Sequence, residues 1–212
     1  ENITPLHLRL IFEIVKHCKS KQNDLYLENT EKKLVIQFFQ FIIEQYHHKE
    51  ELLNLSFGYI AASKDGLSEE ELLDLLSNNT DFLKLFQNDR YPSLNRLPNA
   101  IWSRFYYYVQ NIFTEKLIDG EMLIKPYHRI IEEVIRENFY EKNAKQLHKK
   151  LSDYFYFKQD KNKTWNERYY SLRMLSELPY QSYKSKSSKQ LKEILFDLEF
   201  AGAIYDNKKH DS

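Results

Sequence analysis

Glycine and proline are scarce in this chain, four and five among 212 residues, which leaves few places where a helix must break or a tight turn can form. The glycines, Gly58, Gly66, Gly120 and Gly202, stand apart and none precedes lysine. A phosphate-binding loop needs clustered glycine followed by Gly-Lys-Ser or Gly-Lys-Thr, so nucleotide hydrolysis by this chain alone is excluded. Cysteine occurs once, at Cys18, which rules out an internal disulfide and a multi-thiolate zinc site and points to a reducing compartment. Net charge is absent too: 31 basic residues balance 31 acidic ones, so no overall field draws the chain to nucleic acid or an anionic membrane. No apolar run approaches bilayer-spanning length. No signal peptide stands at the start, so a cytoplasmic location is expected and the Asn-x-Ser/Thr triplets at Asn2, Asn78 and Asn162 are read as chance.

What is abundant is hydrophobic and aromatic side chain, 42% and 15% of the residues, enough for a substantial core. Apolar residues recur mainly at spacings of three and four, so the chain reads as predominantly helical. Leu6 to Cys18 is a first amphipathic helix, with Leu6, Leu10, Ile14 and Val15 or Phe12 on its buried side. A second helix runs from Thr30 to about Tyr46. It is apolar over more than half its circumference, which predicts packing from two directions. Glu51–Lys64 and Ser68–Ser77 follow. Gly66 supplies the turn between them, Ser68 and Glu71 form a capping box, and Leu67 takes the staple position. Asp81–Gln87 is a short helical piece and Asn88–Asn99 a loop. Ile101–Phe113 is an aromatic-rich helix. Residues 116–124 then fit a hairpin turning at Asp119-Gly120. Tyr127–Tyr140, Asn143–Phe157, Trp165–Leu178 and Lys189–Leu198 resume helix.

Three helices followed by a hairpin is the order of a winged helix. The fold expected is mainly α: the end of a small helical domain over 1–48, a winged helix with one β-hairpin over 49–140, and an antiparallel helical array leading toward solenoid repeats over 141–212. Because the chain begins at Glu1 inside a helical pattern, it is expected to be a piece of something longer.

Winged helices often bind DNA through the third helix. Here Ala100–Thr114 carries a single cation, Arg104, too few for phosphate contact, so DNA is not an expected partner. The basic stretch Lys184–Lys192 is interleaved with serines and reads as a solvated loop. His47 and His48 point to different sides of any helix and lack a third ligand, so no metal site is expected. Glu69, Glu70, Glu71 and Asp74 lie in the first turns of their helix, where they complement its dipole. No catalytic residues are assigned. His128 differs from these: it follows the hairpin and Pro126 at the start of a helix, where its imidazole can donate a hydrogen bond to a phosphate oxygen.

Five stretches, TPLHLRLIFEIV, YIAASKDGLSEEELLDLLS, LPNAIWSRFYYYVQNIF, GEMLIKPYHRIIEEVIRENF and SLRMLSELPYQSYKS, in this order from Pro5 to Phe200, resemble the winged-helix and following helical region of NACHT-type signal-transducing (STAND) ATPases. These include bacterial antiviral proteins and eukaryotic proteins with WD or TPR repeats. The resemblance implies that His128 contacts the β-phosphate of ADP in a closed resting state. It implies that Pro5 lies on the adenine side, with Ile3 where that family often has glycine. It further implies ATP or ADP with Mg in the intact protein, held by a P-loop domain and not by this segment alone. The partners implied are the ATPase and repeat domains of the same chain, other copies on activation, and a protein trigger, viral or otherwise, sensed by C-terminal repeats. The alternative is a nucleotide-independent helical scaffold for protein contacts.

Overall fold

A computed structural model describes residues 3–17, 26–46, 49–87, 93–157 and 170–210. Thr4 opens the first helix, α1 (Pro5–His17), accepting a hydrogen bond from the His7 amide at 3.2 Å. Pro5 takes the first helical position, where its missing N–H costs nothing. Leu6, Leu10 and Ile14 are buried as expected, whereas Phe12 and Val15 are 62% and 49% exposed. That corrects the expected buried side. Leu8, Phe12 and Val15, spaced four and three apart, form a second apolar stripe that nothing among the described residues covers.

The second helix, α2 (Glu31–Tyr46), packs on α1 and buries Leu34 and Val35. On its other side Phe39 meets Phe57 of α3 (Glu50–Ala62), ring centroids 5.0 Å apart. This is the packing from two directions that the wide apolar surface predicts. Phe57 is the hub of the core, edge-on to Phe39, Phe113 and Phe139 at 5.0–5.5 Å, an arrangement the ring quadrupole favours.

The turn after α3 depends on Gly66. Its φ is +106°, and a Cβ there would stand 2.6 Å from the Ile124 carbonyl oxygen, so no L side chain fits. The close approach has a purpose: Leu67 exchanges backbone hydrogen bonds with Ile124, 2.8 and 3.3 Å, adding a one-residue third strand to the hairpin. Leu67 is fully buried, so the residue read as a staple also carries sheet. The capping box of Ser68 and Glu71 is present and opens α4 (Glu69–Ser77). Asn79 caps α5 (Thr80–Lys84).

The aromatic helix α6 (Asn99–Val109) ends earlier than the sequence suggests. One 3-10 turn over Gln110–Ile112 leads into β1 (Phe113–Ile118), which pairs antiparallel with β2 (Glu121–Pro126) across Asp119-Gly120. Both turn residues have positive φ, 54° and 78°, as a two-residue hairpin turn of this hand requires. α7 (Arg129–Ile135) passes into a π-helical segment, Arg136–Tyr140, and a 3-10 turn, Glu141–Asn143, where the sequence predicted unbroken helix to Tyr140.

α8 (Ala144–Phe157) and α9 (Leu172–Lys184) pack against each other. Pro179, expected to end a helix, lies inside α9. The helix continues because Leu178, Gln181 and Ser182 on either side are fully buried and fix it in place despite the lost backbone donor. α10 (Ser188–Leu195) and α11 (Leu198–His210) complete the described chain, so part of the basic stretch is helix and not loop. The sequence did not anticipate α11. Cys18, His47, His48 and the expected helix start at Trp165 lie outside the described residues. Among the described residues the fold is mainly helical with one two-stranded antiparallel hairpin, in the order of a winged helix followed by helices.

Candidate functional site

Pro5 and His128 are far apart in sequence, yet they line one cavity of about 370 Å³ together with Thr4, Leu6, Arg9, Glu31 and Tyr127. The start of α1 supplies Thr4, Pro5 and Arg9, the first residue of α2 supplies Glu31, and the junction of β2 with α7 supplies the last two. Tyr127 is held there by its backbone, which donates to the Ile112 carbonyl at 3.2 Å.

His128 is the N-cap of α7: its Nδ1 accepts a hydrogen bond from the Ile130 amide at 3.2 Å. That bond decides the tautomer. An Nδ1 that accepts carries no proton, so in the neutral ring the proton is on Nε2, which makes no hydrogen bond among the described residues. The cap thus leaves the Nε2–H of the ring as a donor beside the cavity. The Arg9 guanidinium lies over the Tyr127 ring, 4.6 Å from its centroid, a cation–π contact that holds positive charge at the rim. Burial pushes the Tyr127 hydroxyl up, with Arg9 pulling it the other way. The one carboxylate present, Glu31, accepts a short hydrogen bond from the Thr4 hydroxyl. A half-buried donor, a cation and an engaged carboxylate suit an anionic group such as phosphate.

A second cluster escaped the reading of the sequence. Arg173 of α9 is 3% exposed and grips Glu71, with Nε 3.0 Å from Oε1 and Nη2 2.9 Å from Oε2. The same Nη2 donates to the Gly66 carbonyl at 3.0 Å and reaches Glu177 at 3.4 Å. Glu71 was read as a helix-dipole residue; it is that and also half of a buried ion pair. Glu177 in turn accepts from the Lys64 amide at 3.1 Å and from Gln181 Nε2 at 2.8 Å. Burial pushes its carboxyl up, against the pull of Arg173.

Gln181 Nε2 also donates to the Ala62 carbonyl, so its Oε1 must be the acceptor for His148 Nδ1, 2.6 Å away. Tyr140 then donates to His148 Nε2 at 2.9 Å. Every polar atom of the neutral imidazole is satisfied, and burial holds its pKa below the ordinary value. At the hairpin tip, Asp119 accepts from Ser176 at 2.6 Å and stands 3.8 Å from Arg173 Nη1. The wing is therefore tied down on α9. The signal in the sequence was the spacing Arg173, Glu177, Gln181, four residues apart on one helical face, opposite the Gly-Leu-Ser-x-x-Glu turn that needs a partner.

The chain is 30% identical over 155 residues to the human NACHT domain- and WD repeat-containing protein 1, covering 71% of this chain and 10% of that protein. The mouse protein of the same name is 30% identical over 138 residues, 64% of this chain and 9% of the relative. The chain is a distant relative of a NACHT-associated protein. It spans about a tenth of the length of the curated relatives it matches. No family model matches it, and no solved structure does.

Proposed function

We propose that this chain is the regulatory winged-helix and helical segment of a NACHT-type signal-transducing ATPase, divided into the end of a small helical domain, a winged helix and a helical array. In the resting state it closes over ADP held by a P-loop domain of the same protein. The observation that carries this reading is the shared cavity of Pro5 and His128. His128 Nε2–H donates to a phosphate oxygen while Arg9 adds positive charge, and Pro5 offers an apolar surface beside them. Mg is assigned, with the nucleotide, to the P-loop domain. Bound nucleotide supplies the anion that links the two domains. A charge-assisted hydrogen bond contributes about 1.5–3 kcal/mol, enough to shift a two-state population about tenfold or more. The uncovered stripe of Leu8, Phe12 and Val15 supports contact with the rest of the ATPase module.

Sensing of a trigger, viral or otherwise, by C-terminal repeats then opens this contact, exchanges ADP for ATP and permits oligomerisation in defence signalling. Among the described residues no helix is long and apolar enough to cross a membrane, and the proposed setting is cytoplasmic. The test is the nucleotide released on denaturing the full-length protein, wild type against His128→Ala. ADP retained in the wild type and reduced in the variant, with spontaneous oligomers, is the expected result. Equal content in both proteins removes His128 from the site, and no nucleotide in either leaves the scaffold reading.

A further inference from the structure

Another cavity lies between α2, α3, the π-helical segment and α8, with a volume of about 440 Å³, within the range of small-molecule sites. Its floor is apolar: Phe39, Leu55, Phe139 and Leu147. The floor is also rigid. α3 approaches the π segment so closely at Gly58 that a Cβ there would stand 3.1 Å from the Phe139 carbonyl oxygen, and π segments within helices often mark functional sites. Around it stand a buried hydroxyl, two lysines and several carboxamides. Tyr59 is fully buried and its hydroxyl has no hydrogen-bond partner; desolvation pushes it up to about 12, so it keeps its proton. Lys142 and Lys150 line the same cavity and form no ion pair among the described residues. Tyr59 and Lys150 also line an adjoining cavity of about 470 Å³, so both stand on the wall the two share. There Asp153 is already taken by Lys149 and Gln190, 2.6 and 2.8 Å. The one carboxylate of the first cavity, Glu50, is exposed in the first turn of α3.

A buried hydroxyl without an acceptor is costly unless something supplies one. An unpartnered buried hydroxyl and two lysine ammonium groups above an apolar floor favour an anion with an apolar body. We propose that this cavity binds a small organic carboxylate, its body on Phe39, Leu55 and Phe139 and its carboxylate received by the Tyr59 hydroxyl and the Lys150 ammonium. Asn54 and Asn138 flank it with carboxamides that can donate or accept. The site is independent of the nucleotide reading, since it shares no residue with the Pro5–His128 cavity.

The test is titration of the chain with octanoate and phenylacetate, followed by heat and by the side-chain amide resonances of Asn54 and Asn138. Octanamide serves as the neutral control. Saturable binding of either acid, weakened about tenfold or more in octanamide, in Tyr59→Phe and in Lys150→Gln, is expected. Tyr59→Phe should melt no lower than the parent, because it deletes a hydroxyl that bonds to nothing. No saturable binding of either acid, equal binding of octanamide, binding indifferent to Tyr59→Phe, or a Tyr59→Phe melting point lowered by several degrees would each overturn the proposal. An acetylated tetrapeptide with a free C-terminal leucine distinguishes the other source of a carboxylate; binding tenfold tighter than octanoate would replace the small molecule with a peptide terminus.

Discussion

Arg173 is the residue on which most of the buried charge depends. It neutralises Glu71 and offsets Glu177, and both carboxylates are almost wholly removed from water. Removing one partner of a buried pair strands the other, at a cost of about 3–5 kcal/mol. Arg173→Met is expected to lose that much in urea-induced unfolding. A triple replacement, Arg173→Met with Glu71→Gln and Glu177→Gln, should recover most of it, because the one carboxylate left beside position 173, Asp119, is partly open to water. If Arg173→Met alone unfolds at the parent's midpoint, the clasp is not holding the fold together. His128 shows the same economy at residue scale. A helix cap visible in the sequence as a position turns out to set the ring's tautomer, which no periodicity could have revealed.

Among the elements, α1 carries two apolar faces with different fates. Leu6, Leu10 and Ile14 are buried against the rest of the chain, while Leu8, Phe12 and Val15 face outward. Leu10→Ala should cost about 2–5 kcal/mol as a core truncation, whereas Leu8→Ser with Phe12→Ser should change the unfolding free energy by less than about 0.5 kcal/mol. Denaturant titrations of the two variants decide it; equal losses would mean both faces are packed. From sequence alone the choice between stripes was undecidable, because both match helical spacing, and it went partly to the wrong one. The hairpin was legible from Asp119-Gly120. Its docking was not: the tip bonds Ser176 and approaches Arg173 across a long sequence separation. A wing pinned this way is held to α9 at its tip.

Across the whole molecule, one buried polar chain joins α3, α4, the hairpin tip, the π segment, α8 and α9. It runs from Asp119 through Arg173, Glu177 and Gln181 to His148 and Tyr140. The winged-helix region and the helices after it are held by the same hydrogen bonds. This makes stability sensitive to acid. Burial lowers His148 from its ordinary 6.5, so the folded chain binds that proton less readily than the unfolded chain does. Its contribution is complete above about pH 6.5 and is lost as pH falls through that value toward the lower folded pKa. Glu177, raised from 4.5 by burial, acts in the opposite sense, since the folded chain holds its proton more readily. Comparison with His148→Gln, which offers a donor and an acceptor but does not titrate, separates the two. Between about pH 7 and about pH 5.5 the parent should lose unfolding free energy relative to His148→Gln. Parallel curves would show that His148 is not held neutral.

The sequence by itself determined the helical class, the capping box at Ser68, the turn at Gly66, the hairpin at Asp119-Gly120 and the order of elements. Each of these is local: it rests on a dihedral, a cap or a period that a few neighbouring residues decide. Tertiary structure alone decided which stripe of α1 is buried, that α9 runs through Pro179, that Leu67 pairs with Ile124, and that Pro5 meets His128. It also decided that Arg173 finds Glu71. Those outcomes depend on which surfaces meet across long stretches of chain, and the free energy of burying a charge or an apolar face is set by the partner that arrives, which no local pattern contains.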